Sequence, residues 1–206
     1  MTATAGRQID AIVIGTSAGG VEALLALLPA LSPQLRAPVF VVLHLPSGQP
    51  SLLVEIFSPR CRRPVVEADD KLPIEPGTVY MAPPDYHMLI EPDGRIALSA
   101  DSPVHFSRPS IDALFESAAD AYGDRLLGVI LTGGSADGSA GLEAVQRAGG
   151  ATIVQHPDDA QVPVMVKAAL ARVRADFVLS LTGIAELVSR LDDAGELRIP
   201  DGVQGP

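Results

Sequence analysis

The chain has 206 residues, of which 47% are hydrophobic and 19% charged, a balance that fits one globular domain and excludes an extensively disordered protein. Its formal net charge of -10 excludes a typical nucleic-acid-binding protein, which needs clustered Lys and Arg. A single cysteine, Cys61, and a longest apolar stretch that Pro29 interrupts favour a cytoplasmic protein with no membrane insertion.

Short β-branched runs alternate with Ala- and Leu-rich segments of helical period, which is typical of β-α units and a parallel sheet. The predicted elements, in chain order, are strand 9–15, helix 20–31, strand 38–44, helix 51–60, strands 77–82, 87–91 and 95–99, helix 110–121, strand 126–132, helix 138–148, strand 151–155, helix 162–173, strand 177–179 and helix 184–191. Pro92-Asp93-Gly94 joins two of the middle strands and indicates an antiparallel hairpin.

The predicted fold class is therefore α/β: a doubly wound, mostly parallel open sheet with helices on both faces and an antiparallel hairpin extension. We place the catalytic domain at residues 9–193, because the segments 1–8 and 194–206 lack apolar periodicity. Both of these end segments are predicted to be flexible.

Polar residues at the exits of three predicted strands suggest catalysis. Ser17, His44 and Asp137 each follow a buried strand, and the carboxyl ends of parallel strands form the ligand-binding edge of an open sheet. An imidazole can take the proton of a serine hydroxyl, while a carboxylate holds the imidazole in the required tautomer. Glycines around Ser17 allow a sharp strand-to-helix turn, at which the Ala18 N–H is a candidate oxyanion donor.

Each of these residues also has a structural interpretation. Ser17 and Asp137 each precede a predicted helix and are suitable N-caps, and His44 could be a core histidine with satisfied hydrogen bonds. His156 is a rival base because it also follows a buried strand, with Asp158 or Asp159 as its acid. The residues alone leave these alternatives open.

The motif around Ser17 agrees only in part with three known patterns. Gly15-Thr16-Ser17-Ala18-Gly19 matches G-x-S-x-G, but an α/β-hydrolase has more strands upstream and places its Asp before its His. A dinucleotide-binding fold would have a glycine at position 17, and a phosphate loop would contain Gly-Lys-Ser/Thr. The four histidines also lack the spacing of a zinc site, so no metal is predicted.

The chain resembles the CheB-type chemotaxis protein-glutamate methylesterases from Ile9 to about Leu191. The resemblance rests on five segments in order: Ile14 to Gly20, His44-Leu45-Pro46, Tyr80 to Leu89, Arg108-Pro109-Ser110-Ile111-Asp112, and Leu131 to Gly138. It implies Ser17, His44 and Asp137 as the catalytic serine, histidine and aspartate, and the backbone N–H groups of Ala18 and Gly134 as the oxyanion hole. It implies no cofactor.

The resemblance also implies a function. Members of the family hydrolyse γ-glutamyl methyl esters of chemoreceptors to glutamate and methanol, and many deamidate receptor glutamines. The expected partners are therefore methylated chemoreceptor cytoplasmic domains. An esterase of the same fold with another protein or small ester as substrate, and a non-catalytic signalling module, are the alternative hypotheses.

The chain departs from the family pattern in three ways. Gly134 stands where the family has methionine, which keeps the amide and loses the side chain. The segment Val162 to Val166 differs from the usual F-G-M-P run near the active site. Because most members carry an N-terminal receiver domain and this chain starts at the catalytic domain, we expect no phosphorylation control in cis and a possible role for a separate regulatory protein.

Overall fold

The fold is described from a computed structural model, which covers residues 7–45, 48, 51–191 and 196–197. The strands are β1 (Arg7–Gln8), β2 (Ala11–Thr16), β3 (Val39–Leu43), β4 (Val65–Glu67), β5 (Val79–Met81), β6 (His87–Ile90), β7 (Ile96–Ser99), β8 (Leu126–Ile130), β9 (Ala151–Gln155), β10 (Phe177–Leu179) and β11 (Glu196–Leu197). The α-helices are α1 (Gly20–Leu27), α2 (Leu53–Phe57), α3 (Ile111–Tyr122), α4 (Ser139–Arg147), α5 (Val164–Arg172) and α6 (Leu181–Ser189).

Seven parallel strands form the central sheet in the order β10-β9-β8-β2-β3-β5-β4. The inner strands β2, β3, β8 and β9 are buried along their whole length, as expected for a sheet covered on both faces. One apolar cluster packs α1, α2 and α6 on one face, and a second packs α3, α4, α5 and the hairpin β6–β7 on the other. The predicted fold class is confirmed.

The chain order places a switch point beside β2. From β2 the chain moves through β3 towards β4 and β5 on one side, and it later returns to β8 on the other side. The carboxyl ends of β2, β3 and β8 therefore meet at the crevice where open α/β sheets bind ligands.

The predicted elements differ from the observed ones mainly at their ends. Pro29 lies in a short 3₁₀ turn after α1, so that helix ends at Leu27 and not at Leu31. Helix α3 begins at Ile111 because the Ser110 side chain caps it, accepting a hydrogen bond from the Ala113 N–H. Strand β4, which lies at the edge of the sheet, was missed by the sequence prediction.

The two short strands β1 and β11 pair with each other and lie outside the range 9–193 predicted for the domain. The bounds of that domain stay a prediction, and most of the two predicted flexible segments lies outside the described residues. Among the residues that are described, no helix is long and apolar enough to cross a membrane.

Candidate active site

Backbone pairing brings the three predicted catalytic residues to one edge of the sheet. Thr16 and Leu43 are register partners on β2 and β3, and the His44 N–H donates to the Thr16 carbonyl at 3.2 Å. The Ser17 N–H donates to the Thr132 carbonyl at 3.0 Å, just beyond β8. Since neighbouring strands lie about 5 Å apart, Ser17 is flanked by the loop that starts at His44 and by the loop that leads to Asp137.

His44 and Asp137 are joined directly. The imidazole Nε2 lies 2.8 Å from the Asp137 Oδ2, and the side chains are 12% and 0% exposed respectively. The carboxylate accepts four further hydrogen bonds, from Ser110 Oγ at 2.8 Å, Ile111 N at 2.7 Å, Asp112 N at 3.1 Å and Gly138 N at 3.1 Å. Two of these donors are the first backbone amides of α3, so the carboxylate sits at the positive end of that helix.

These contacts determine the charge of Asp137. Burial alone would raise the pKa of its carboxyl, but the hydrogen bonds from His44, Ile111, Asp112 and Ser110 outweigh burial and lower the pKa. An ionised carboxylate can only accept, so the His44 Nε2 must carry the proton. The other ring nitrogen, Nδ1, is then the one that can act as a base.

The helices α3 and α4 cap each other. Asp137, which precedes α4, accepts from the first amides of α3, and Asp112 of α3 accepts from the Gly141 N–H of α4 at 2.7 Å. A Cβ on Gly141 would lie 2.6 Å from the Cβ of Phe115, so glycine permits this close helix contact. Asp137, the candidate catalytic acid, therefore also helps to hold α3 against α4.

The structure gives the Ser17 hydroxyl less support than the other two side chains. Within the described part of the chain, Ser17 Oγ makes no hydrogen bond, and the serine hydroxyl within hydrogen-bond range of the His44 Nδ1 is that of Ser107, at 3.5 Å. Ser107 was not predicted as a site residue, because it follows a turn with no catalytic signature in the sequence. Ser17 is thus placed beside the His44–Asp137 pair by its backbone alone.

The backbone around Ser17 leaves amides free for an anion. The Gly20 N–H donates to the Ser17 carbonyl at 2.8 Å, and Gly19 has a φ of 79°, a left-handed conformation that glycine adopts without strain. The N–H groups of Ala18 and Gly134 donate to no atom of the described chain. Both predicted oxyanion donors are therefore available, although their role stays a prediction.

Thr132 connects the loop that contains Ser17 to the segment that begins at Val162. Its carbonyl accepts from the Ser17 N–H and from the Thr16 hydroxyl at 2.8 Å. Its own hydroxyl lies 2.9 Å from the Ala18 carbonyl and accepts from the Val162 N–H at 2.9 Å. Because Val162 takes part through its backbone, the departure of Val162 to Val166 from the family pattern leaves this connection intact.

Two further histidines, one at the start of β6 and one just after β9, have other hydrogen-bond partners. His87 is buried and accepts from the Ser110 N–H on Nδ1 at 3.1 Å, while its Nε2 faces the Ser102 carbonyl at 3.2 Å. The rival base His156 is 49% exposed and accepts on Nδ1 from the Asp158 N–H in its own loop. Among the described residues, no group of three or more His, Cys, Asp or Glu side chains could hold a metal ion.

Comparisons with known proteins agree on one family. A family model described as CheB methylesterase matches residues 12–188. A protein of Leptospira interrogans, provisionally named protein-glutamate methylesterase/protein-glutamine glutaminase, is 44% identical over 89% of this chain and 95% of its own length.

Longer relatives and a solved structure show the same similarity. Two longer proteins carry this name without qualification. The protein of Symbiobacterium thermophilum is 38% identical over 87% of this chain, and the match covers 49% of its own length. The protein of Bordetella parapertussis is 40% identical over 89% of this chain, and the match covers 54% of its own length. The crystal structure of the Thermotoga maritima CheB methylesterase catalytic domain has a TM-score of 0.84 and 32% identity, and the match covers 89% of this chain and 99% of that domain.

Proposed function

Because the chain belongs to the CheB methylesterase family, we propose that it is a serine hydrolase that demethylates γ-glutamyl methyl esters on the cytoplasmic domains of chemoreceptors. The products are glutamate and methanol. The names of its relatives include protein-glutamine glutaminase, and we extend the proposal to deamidation of receptor glutamines. The enzyme would act in the cytoplasm, where these receptor domains lie.

The observation that carries the proposal is the bond between His44 and the buried carboxylate of Asp137. This pair supplies an imidazole whose Nδ1 is free of Asp137, at the edge of the sheet where Ser17 lies. The free amides of Ala18 and Gly134 support a site for the negative charge that develops on the substrate carbonyl oxygen.

In the first half of the proposed reaction, Ser17 Oγ attacks the ester carbonyl carbon and its proton passes to the His44 Nδ1. The carbonyl oxygen becomes an oxyanion that accepts from the Ala18 and Gly134 amides, while Asp137 stabilises the imidazolium through Nε2. The tetrahedral intermediate then collapses. The bond between the carbonyl carbon and the methoxy oxygen breaks, and His44 gives its proton to that oxygen. Methanol departs, and a glutamyl ester remains on Ser17.

In the second half, His44 takes a proton from a water molecule that attacks the same carbonyl carbon. Collapse of the second intermediate breaks the bond to Ser17 Oγ, which recovers its proton from His44. The product is the γ-carboxylic acid of glutamate, which loses its proton to solvent and becomes the carboxylate. Deamidation follows the same steps with ammonia as the first leaving group.

The identity of the nucleophile is tested with a fluorophosphonate probe and mass spectrometry of the labelled peptide. We expect labelling at Ser17 in the wild type, loss of labelling in Ser17→Ala and in His44→Ala, and retained labelling in Ser107→Ala. The last variant is a matched control because the Ser107 hydroxyl lies 3.5 Å from the His44 Nδ1. Labelling of Ser107 in the wild type would contradict the proposal.

The substrate is tested by methanol release from a methylated chemoreceptor cytoplasmic fragment. Wild-type protein is expected to release methanol and Ser17→Ala to release none above background. Equal rates for the two proteins would refute the receptor-esterase function. Labelling of Ser17 together with no methanol release would instead leave a serine hydrolase with a different substrate.

A further inference from the structure

A tight turn beside His44 has an unusual conformation. Val104 and Ser107 exchange two backbone hydrogen bonds, of 3.1 and 2.8 Å, around His105 and Phe106. Both central residues have positive φ, 46° and 62°, which is the pattern of a type I′ turn that Asn and Gly normally occupy. A bulky aromatic residue rarely adopts this conformation, and such outliers are concentrated at functional sites.

The Phe106 ring is fully exposed at the tip of this turn, at 104% of its reference area. The neighbouring residues are held on both sides. The Ser107 hydroxyl lies 3.5 Å from His44, the Arg108 Nη1 donates to the carbonyls of Ala100 and Asp101 at 2.8 and 3.0 Å, and the His105 Nε2 lies 3.5 Å from an Asp112 carboxylate oxygen. The turn therefore places an exposed aromatic residue directly before Ser107, whose hydroxyl lies beside His44.

Phe106 belongs to a set of exposed side chains with a common location. In the described part of the chain, every large hydrophobic side chain that is exposed lies on a loop or helix start at the carboxyl edge of the sheet. We call this set the apolar rim, and its members are Leu52, Tyr86, Val104, Phe106 and Val164. Single exposed hydrophobic residues need no explanation, but their confinement to the edge that holds Ser17, His44 and Asp137 does.

We propose that Phe106 is a specificity-determining contact that packs against an apolar side chain of the polypeptide segment carrying the ester. This inference rests on the proposed function and concerns how the same site selects a protein substrate. Apolar contact at the rim supplies affinity that does not depend on charge attraction, which suits an enzyme with a formal net charge of -10. A small ester carries no polypeptide segment, so we expect its hydrolysis not to depend on the ring.

The inference is tested with two substrates and three variants. Phe106→Ala removes the ring, Phe106→Asn removes the ring while fitting the left-handed backbone, and Phe106→Tyr keeps the ring. For a methylated receptor fragment we expect KM to rise about fivefold or more in the Ala and Asn variants, with kcat within about twofold, and to stay near wild type in Tyr. For p-nitrophenyl acetate we expect all four proteins to have the same kcat/KM.

Three outcomes would overturn the inference. Equal KM for the receptor fragment in all four proteins would show that the ring makes no contact. A restored KM in Phe106→Asn would show that the turn conformation matters and not the ring. A parallel fall in p-nitrophenyl acetate hydrolysis would show an effect on His44 through Ser107. Wild-type protein that releases no methanol would refute the proposed function itself, a result distinct from all three.

Discussion

Replacing Asp137 by asparagine separates the two roles that the structure gives this side chain. The carboxylate accepts five hydrogen bonds, with Oδ2 facing the Ile111 N–H and His44, and Oδ1 facing Ser110, the Asp112 N–H and the Gly138 N–H. An amide presents one oxygen and one NH₂ group. Whichever way it is turned, its NH₂ group faces at least one backbone N–H.

The expected loss of stability follows from that count. One buried amide left without an acceptor costs about 1–3 kcal/mol, and losing an anion at the start of α3 adds about 0.3–2 kcal/mol. We expect the free energy of unfolding to fall by about 2–4 kcal/mol, which lowers Tm by roughly 5–15 °C for a domain of this size. Chemical and thermal unfolding measure both quantities.

The expected loss of activity has a different origin. An asparagine NH₂ facing Nε2 favours the tautomer that is protonated on Nδ1, which removes the base, so kcat should fall by about 10⁴-fold. Asp112→Asn is the matched control, because its side-chain oxygen can still accept from Gly141 and it does not contact His44. We expect this control to retain activity within about tenfold. Asp137→Asn protein with more than a tenth of wild-type activity, or with unchanged stability, would refute the assigned role.

Three further predictions concern neighbouring residues. Thr132→Val removes the hydroxyl that bonds Ala18 and Val162. We expect this variant to lower kcat for a small ester at least tenfold and Thr132→Ser to restore it. Equal rates in both variants would contradict a role of the Thr132 hydroxyl in positioning the loop at Ser17. Gly15→Ala is expected to lower Tm because a Cβ would overlap the Ile111 side chain, whereas Gly134→Ala, whose Cβ would meet Val162 at 3.9 Å, should match wild type in thermal unfolding. Burial raises the pKa of the Asp112 carboxyl. The contribution of Asp112 to the free energy of unfolding is therefore full below the unfolded pKa of about 3.9, and it is lost as pH rises through the raised folded pKa. Unfolding in urea at several pH values should show this loss of stability in the wild type and not in Asp112→Asn.

The fold was largely predictable because its signals are local. Buried strands such as Leu126–Ile130 are short continuous apolar runs, and helices such as Ser139–Arg147 have a clear helical period. Their alternation implies a parallel sheet. Strand β4 was missed because it has three residues and one fully buried side chain, too few to form a pattern. The order of the strands depends on crossover connections, on which local periods carry no information.

The candidate site was predictable only in part. The positions of His44 and Asp137 at strand exits indicated that they could meet, and they do at 2.8 Å. The contributions of Ser110 and the Ile111 amide depend on the start of α3 reaching the loop after β8, which is a tertiary contact without a sequence period. Ser107 was missed for the same reason, and the assignment of Ser17 as nucleophile stays a prediction.

The mutual capping of α3 and α4 bears on how activity could be lost during evolution. Asp137 holds two helices together, so selection for a folded protein would preserve it even in a descendant that no longer hydrolyses anything. Within the described structure the Ser17 hydroxyl makes no hydrogen bond that stabilises the fold, so a mutation could remove it and leave the fold intact. Among relatives of this protein, the serine is therefore the position whose loss would reveal an inactive lineage, while a retained aspartate would say little.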